Sequence, residues 1–133
     1  MKIKAAVLRL AGVKGPYRDS KPLCIETIDL DYPEREEVLI KIEASGLCHS
    51  DLAAINGERA KPMPIVLGHE TVGVVAEVGL GVIAFEVGDY VIPSFVASCG
   101  KCDMCRTGRP GLCIVSNVAN AKGTLMGGGR RLH

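Results

Sequence analysis

The sequence predicts a mostly β domain built around one aliphatic core. Its 133 residues are enough for a single domain, and 47% of them are apolar although none is tryptophan. Sixteen glycines and seven prolines divide the apolar residues into short runs. Short runs between turn residues favour strands over a helical bundle, and this apolar content is that of a folded chain.

The first half of the chain contains three predicted strands. Residues 3–9 and 23–30 are largely apolar and are separated by a turn region rich in Gly, Pro, Ser and Lys. Residues 37–45 alternate apolar and polar side chains, and a glycine follows them. We expect Cys24, within the second strand, to be buried as a small hydrophobic residue.

The middle of the chain contains a short helix and two further strands. Residues 50–56 predict the helix, because a serine or an aspartate can cap its start and a glycine follows its end. Residues 71–78 are a continuous apolar run typical of a buried strand, and residues 90–93 form another short strand after a Gly-Asp turn.

The sequence predicts one domain over residues 1–125, with a cysteine-rich lobe at about 97–115. Residues 126–133 contain three consecutive glycines and two arginines, so we expect a flexible tail that packs no core. We also expect that no residue from 119 onward packs against a core. No βαβ unit with a Gly-x-Gly-x-x-Gly turn is recognisable, so we expect a nucleotide-binding domain to be absent from the chain.

Charge and hydropathy give no sign of a nucleic-acid or membrane partner. The formal net charge is +1, and no apolar run approaches the roughly 18 residues that a membrane-spanning helix needs. The first residues lack the long apolar core of a signal peptide. We therefore expect a cytoplasmic protein, in which clustered cysteines are metal ligands rather than disulfides.

Four cysteines form the densest motif of the chain. Three follow a Cys-x-x-Cys-x-x-Cys pattern, and the fourth comes eight positions later: Cys99, Cys102, Cys105 and Cys113. Four thiolates suit tetrahedral zinc and leave no position for water, which predicts a structural site. An iron–sulfur cluster, a zinc-ribbon module for nucleic acids and disulfides are alternatives with less support, since the last spacing is long and stacking aromatic residues are few.

A second group of metal-ligand types lies nearer the start of the chain. Cys48 opens a Cys-His-Ser-Asp run, and His69 and Glu70 follow about twenty residues later. A cysteine and a histidine on two separate loops can share one zinc ion. Two or three protein ligands would leave a position open for water or substrate, as catalytic zinc sites do.

The pattern of glycines around these residues resembles the zinc-dependent medium-chain alcohol dehydrogenases. The matching features run from about residue 4 to residue 125, which is nearly the whole chain. They include the distance from Cys48 to the histidine, the four-cysteine loop, and the run Gly68-His69-Glu70-x-x-Gly73, Gly79, Val82 and Gly88-Asp89-x-Val91.

This resemblance implies a GroES-like fold, a twisted and partly open β-barrel with short helices and a zinc-binding loop. It implies that Cys48 and His69 bind a catalytic zinc, with Glu70 beside the metal or bound to it. A second cysteine is the usual third ligand in the family, but no cysteine follows Cys113 in this chain. We therefore expect the catalytic zinc to be only partly occupied and the structural zinc to be retained.

The resemblance also implies roles for three neighbours of these ligands. Asp51 would accept a hydrogen bond from the far nitrogen of His69, which fixes the tautomer of the imidazole. Ser50 would accept the proton of the substrate hydroxyl. His49 would lie near the pyrophosphate of the cofactor.

The implied activity is oxidation of an alcohol to an aldehyde or ketone, with hydride transfer to NAD(P). The partner is thus a small alcohol or carbonyl compound, and we expect the chain to form homo-oligomers through apolar surface. We also expect the chain alone to be inactive, since it lacks a cofactor fold and one usual zinc ligand. The alternative is a truncated, catalytically inactive zinc-binding structural or interaction module.

Overall fold

A computed structural model describes all 133 residues as two open three-stranded antiparallel sheets with short helices between their strands. The sheet orders are β2-β1-β4 and β3-β5-β6. The strands are β1 (Lys2–Leu8), β2 (Leu23–Asp29), β3 (Val38–Gly46), β4 (Ile65–Val66), β5 (Glu70–Val78) and β6 (Tyr90–Val91). The helices are α1 (Tyr17–Ser20), α2 (His49–Ile55), α3 (Asp103–Arg106) and α4 (Ile114–Lys122), with a 3₁₀ turn at Pro110–Leu112.

The mostly β class is confirmed, and the five predicted strands and the predicted helix are present. The strand expected at 90–93 is shorter, since only Tyr90–Val91 pair with β5. No helix has both the length and the apolar character that a membrane crossing demands. Cys24 is exposed rather than buried, and so is the adjacent Ile25, because both faces of β2 are open to solvent at this point.

Helix α4 is the main element that the sequence did not predict. The expectation that nothing from residue 119 onward packs a core was wrong, because Ala119 is buried on this helix. The helix starts directly after Cys113, whose Sγ accepts a hydrogen bond from the backbone N–H of Ser116 at 3.4 Å. It ends at Gly123, which has a φ of 65° and closes the last turn in the left-handed conformation.

A small core attaches α2 to the first sheet. Leu8 of β1 packs against Ala54 and Ile55 of α2, and all three are buried. The backbone N–H of Gly12 also donates to the carbonyl of Ile55 at 2.8 Å. These contacts fix the orientation of α2, and its first turn carries the residues of the predicted catalytic site.

The pairing of β3 with β5 brings the two halves of that site to one sheet edge. Gly46 at the end of β3 pairs with Glu70 at the start of β5. Cys48 follows that end of β3 by two residues, and His69 immediately precedes β5. Gly68 has a φ of 101°, and a Cβ there would lie 2.7 Å from the Ser45 hydroxyl, so only glycine allows this close approach.

The end of the chain contacts the first sheet. Leu132 forms a β-bridge with Leu30, and the backbone groups of His133 and Asp29 exchange two hydrogen bonds of 2.9 Å. These contacts hold the last residues against the sheet. The flexibility expected for residues 126–133 remains a prediction for the glycine-rich part of this segment.

Arg131 joins this terminal segment to the loop before β3. Its guanidinium donates to both carboxylate oxygens of Glu37, at 2.8 and 2.9 Å, and to Glu34 at 2.6 Å. Hydrogen bonding from Arg131 holds the pKa of the Glu37 carboxyl below its ordinary value. Arg131 and Glu37 side chains are only 16% and 20% exposed, so solvent screens this pair less than a fully exposed pair.

We predict that Glu37→Gln lowers the thermal unfolding midpoint of the chain at pH 7 by a few degrees. Because the pKa of Glu37 is lowered on folding, its contribution is complete above the unfolded pKa near 4.5. The contribution is lost as the pH falls through the lower folded pKa, so the difference from the parent chain should vanish in acid. Calorimetry across this pH range measures the difference.

Lys2→Gln is the matched control, since the Lys2–Asp29 pair has side chains that are 67% and 52% exposed. This variant should leave the midpoint almost unchanged. Equal midpoints for all three proteins at pH 7 would contradict a stabilising role for the Arg131 pair.

Candidate metal centres

The four cysteines of the predicted structural site converge on one point. Their sulfur atoms all lie within 4.8 Å of one another. The Cys102–Cys105 distance is 3.5 Å, and the Cys99–Cys105 and Cys102–Cys113 distances are both 4.0 Å. A tetrahedron with zinc–sulfur bonds of about 2.3 Å places sulfurs about 3.8 Å apart. The cluster therefore fits a tetrahedral ion of this size.

Backbone N–H groups point at these sulfurs and favour their ionised form. Cys102 donates to the Cys99 sulfur at 3.3 Å, and Cys99 donates to the Cys113 sulfur at 3.3 Å. Hydrogen bonds from the backbone of Cys105 and Ile114 lower the pKa of Cys102 to about 6. Cys102 is thus favoured as a thiolate at neutral pH.

Not all four thiols can ionise on their own. Burial, together with the neighbouring Cys102 thiol, raises the pKa of Cys105 to about 11. Sulfurs this close repel one another once charged, so full ionisation needs a compensating cation. A dication bound by all four supplies that compensation, and the chemistry of the donor set therefore fits zinc.

The second cluster joins Cys48, His69 and Glu70. One ligand atom from each lies within 4.8 Å of the other two. The Nε2 atom of His69 is 3.7 Å from Glu70 Oε1, and the Glu70 side chain is 62% exposed. This cluster has three ligand residues where the four-cysteine loop has four, and it is open to solvent on the Glu70 side.

Asp51 connects the two ligand-bearing segments. It is buried, and its Oδ1 accepts the Nδ1–H of His69 at 3.0 Å, while its Oδ2 accepts the backbone N–H of Cys48 at 2.9 Å. A proton on Nδ1 leaves the lone pair of Nε2 facing the cluster. Burial alone lowers the pKa of His69, but the hydrogen bonds with Asp51 and Cys48 outweigh it and raise that pKa overall.

Ser50 lies within the cluster, whereas His49 does not. The Ser50 hydroxyl is 3.3 Å from His69 Nε2. The backbone N–H and the hydroxyl of Ser50 also lower the pKa of the Cys48 thiol. His49 occupies the first turn of α2 but is exposed and makes no side-chain hydrogen bond to the cluster.

Two neighbours of the cluster were missed by the sequence analysis. The Phe95 ring lies 4.3 Å from the His69 ring between centroids, tilted by 34°. The Arg59 guanidinium lies 5.6 Å from the centroid of the same Phe95 ring. No motif marks either residue. The available signals were that Phe95 is one of only two phenylalanines and directly precedes the cysteine loop.

A cavity of about 1080 Å³ reaches His69 of this cluster and is lined by residues of β1, β2 and β3. Ser50, His69 and Phe95 line its wall together with aliphatic and charged side chains. A cavity with a mainly apolar surface and convergent polar groups is the usual form of a small-molecule site.

Comparison with known proteins places the chain in a family. Residues 34–131 match the alcohol dehydrogenase GroES-like domain. S-(hydroxymethyl)glutathione dehydrogenase from Synechocystis sp. is 42% identical over 98% of this chain and 34% of its own length. The chain therefore spans about a third of the length of this curated relative.

Two solved structures are similar in fold. The alcohol dehydrogenase zinc-binding domain protein from Burkholderia ambifaria has a TM-score of 0.85 at 35% identity, over 100% of this chain and 34% of that one. A structure described as a zinc-binding dehydrogenase from Sinorhizobium meliloti, bound to NADP, has a TM-score of 0.70 at 30% identity, over 86% of this chain and 31% of that one. The expected GroES-like fold is confirmed, with sheets that remain open. The chain belongs to the zinc-dependent medium-chain alcohol dehydrogenases and carries their GroES-like domain.

Proposed function

We propose that this chain is the catalytic domain of an enzyme that oxidises an alcohol to an aldehyde or ketone by hydride transfer to NAD(P). The observation that carries the proposal is the convergence of Cys48, His69 and Ser50 around buried Asp51 at the wall of a large apolar cavity. The NADP bound to the Sinorhizobium meliloti structure supports the choice of cofactor.

Two zinc ions would serve this function. Cys48 and His69, with Glu70 as a third ligand, would hold the catalytic ion, and the four-cysteine cluster would hold the structural ion. The catalytic ion, when bound, supplies a Lewis acid that makes an alcohol easier to deprotonate. The residues of the four-cysteine loop take no part in the reaction and stabilise residues 97–115.

The protein groups around the cluster orient the reactants and move a proton. Asp51 keeps the proton of His69 on Nδ1, which leaves Nε2 free as a ligand. The Ser50 hydroxyl lies beside Nε2 and would accept the proton of the substrate hydroxyl. Phe95 covers one side of His69, and exposed His49 is free to contact the cofactor pyrophosphate.

We propose the cytoplasm as the compartment of this protein. All six cysteines are free in the structure, and the four-cysteine cluster would persist in a reducing environment.

We predict that the two metal sites differ in retention. The zinc-loaded chain should contain two zinc ions per molecule and lose one of them on mild chelation, because the Cys48 site has an exposed third ligand. Cys48→Ser should remove the weakly held ion, and Cys102→Ser the strongly held one. Metal analysis before and after chelation measures both. Equal retention of the two ions would contradict the assignment of Glu70 as a weak ligand.

Asp51→Asn gives a sharper version of this test. Loss of the carboxylate that orients His69 should weaken zinc binding at the Cys48 site by roughly 10–100-fold and leave the four-cysteine site unchanged. Asp29→Asn, which changes an exposed aspartate distant from both clusters in the fold, is the control and should affect neither site.

We predict that an alcohol binds at the Cys48 site. A chain with cobalt in place of the weakly held zinc should show visible absorption bands that shift when benzyl alcohol is added, and Cys48→Ser should abolish the shift. Unchanged bands at saturating alcohol would contradict the proposed function. In a parallel assay with NAD and NADP we expect no turnover by the chain alone, and clear turnover would overturn only that expectation.

A structural or interaction module is the second candidate, and the surface of the chain favours it. The accessible surface is 9029 Å², whereas a folded monomer of this mass exposes about 6,700 Å². Ile83, Tyr90 and Ile92 are each more than 80% exposed. Apolar surface of this extent favours association.

We therefore predict concentration-dependent formation of homo-oligomers. Sedimentation velocity over a hundredfold range of concentration should show the weight-average mass rising above that of one chain. Replacing Ile83 and Ile92 by Ser should reduce the effect, while Arg18→Ser, on exposed α1, should not. A strict monomer at all concentrations would contradict self-association.

A further inference from the structure

Two cationic side chains border the proposed catalytic cluster without an acidic partner. Arg59 and Lys61 lie in the loop after α2, and neither forms an ion pair with any carboxylate of the chain. The backbone N–H of Arg59 donates to the carbonyl of Ala53 at 2.9 Å, so this loop is held to α2. Unpaired cations next to a binding cavity are available for an anionic ligand.

Lys61 is fixed in place by α4. Its ammonium donates to the side-chain oxygen of Asn120 and also lies 3.5 Å from the carbonyl oxygen of that residue. Burial, followed by repulsion from nearby Arg59, lowers the pKa of Lys61. The two cations are therefore close enough to repel each other, and an anion between them would relieve that repulsion.

The position of Arg59 relates this pair to the reaction. Its guanidinium lies over the ring of Phe95, and the same ring contacts the imidazole of His69. Arg59, Lys61 and Phe95 line the large cavity together with Ser50 and His69. One aromatic ring thus separates Arg59 from the proposed zinc ligand.

The same pair also lines a smaller adjoining pocket. This pocket has a volume of about 250 Å³, and α4 contributes Ser116, Asn117 and Asn120 to its wall. No acidic side chain lines it. A guanidinium, an ammonium and two amides around a small volume are suited to a carboxylate, which accepts hydrogen bonds and donates none.

We propose that Arg59 and Lys61 bind a carboxylate of the alcohol substrate, so that the preferred substrates are hydroxy acids with an apolar spacer. The inference rests on the proposed function, because it places the hydroxyl group of the substrate at Ser50 and His69. The spacer would lie along Phe95 and the carboxylate would enter the pocket beside α4. Arg59 would then set specificity through charge without taking part in proton or hydride transfer.

The test compares two alcohols that differ in charge and little in shape. Binding of 4-(hydroxymethyl)benzoate and of 4-(hydroxymethyl)benzamide to the zinc-loaded chain is measured by NMR titration of backbone amides. We expect the benzoate to bind at least tenfold more tightly and to shift signals of both Ser50 and Asn117. Arg59→Gln should remove most of this preference, and Lys61→Gln should reduce it. Arg18→Gln, on exposed α1, is the control and should retain it.

The possible outcomes separate this inference from the proposed function. If both alcohols bind with equal affinity and shift the signals of Ser50 and His69, the proposed carboxylate subsite is wrong and the proposed function stands. If neither alcohol binds, both the carboxylate subsite and the proposed function are contradicted. A third titration, with 2′-AMP, tests whether Arg59 and Lys61 bind a phosphate group instead of a carboxylate. Binding of 2′-AMP that depends on Arg59, without preference for the charged alcohol, would assign the pair to a cofactor phosphate and overturn the inference.

Discussion

The candidate site depends on the hydrogen bonds that the buried carboxylate of Asp51 accepts. One of its oxygens accepts the imidazole N–H of His69, and the other accepts the backbone N–H of Cys48. A single side chain therefore fixes two proposed ligands that come from different loops. Because Asp51 is itself held by α2, whose Ala54 and Ile55 pack on Leu8, the position of the site follows from the small core of the first sheet.

The second sheet supplies the other constraint. The antiparallel register of β3 and β5 brings Cys48 and His69 to the same edge, and the hydrogen bond from Ser45 to the Gly68 carbonyl holds the turn before His69. The site is thus formed where the two sheets meet. Since both sheets are open, the space between them remains a large cavity instead of a filled core, and that cavity gives small molecules access to the cluster.

The ligand clusters could be predicted from the sequence because metal chemistry restricts residue type and spacing so strongly. Cys99, Cys102 and Cys105 lie three positions apart, and short loops of this kind bring sulfurs together whatever the rest of the fold does. Strands were predictable from apolar runs and their turns. Contacts that depend on distant parts of the chain were not: Phe95 reaches His69, and Arg131 reaches Glu37, only through the tertiary fold. Helix α4 was missed because its first turn depends on a thiol as acceptor, which is not a usual cap.

The two clusters differ physically in a way that matches their proposed roles. Cys113 is fully buried and the other three cysteines of its cluster are half-buried. The sulfurs of Cys113 and Cys99 accept backbone N–H hydrogen bonds, so a bound ion would have a complete and shielded ligand set. The Cys48 cluster has one exposed carboxylate, one imidazole and one thiol at the wall of a cavity. An incomplete and accessible ligand set holds an ion less tightly but leaves it a free coordination position, and catalysis requires that position. The weaker retention and the reactivity proposed for this site would therefore have the same structural cause.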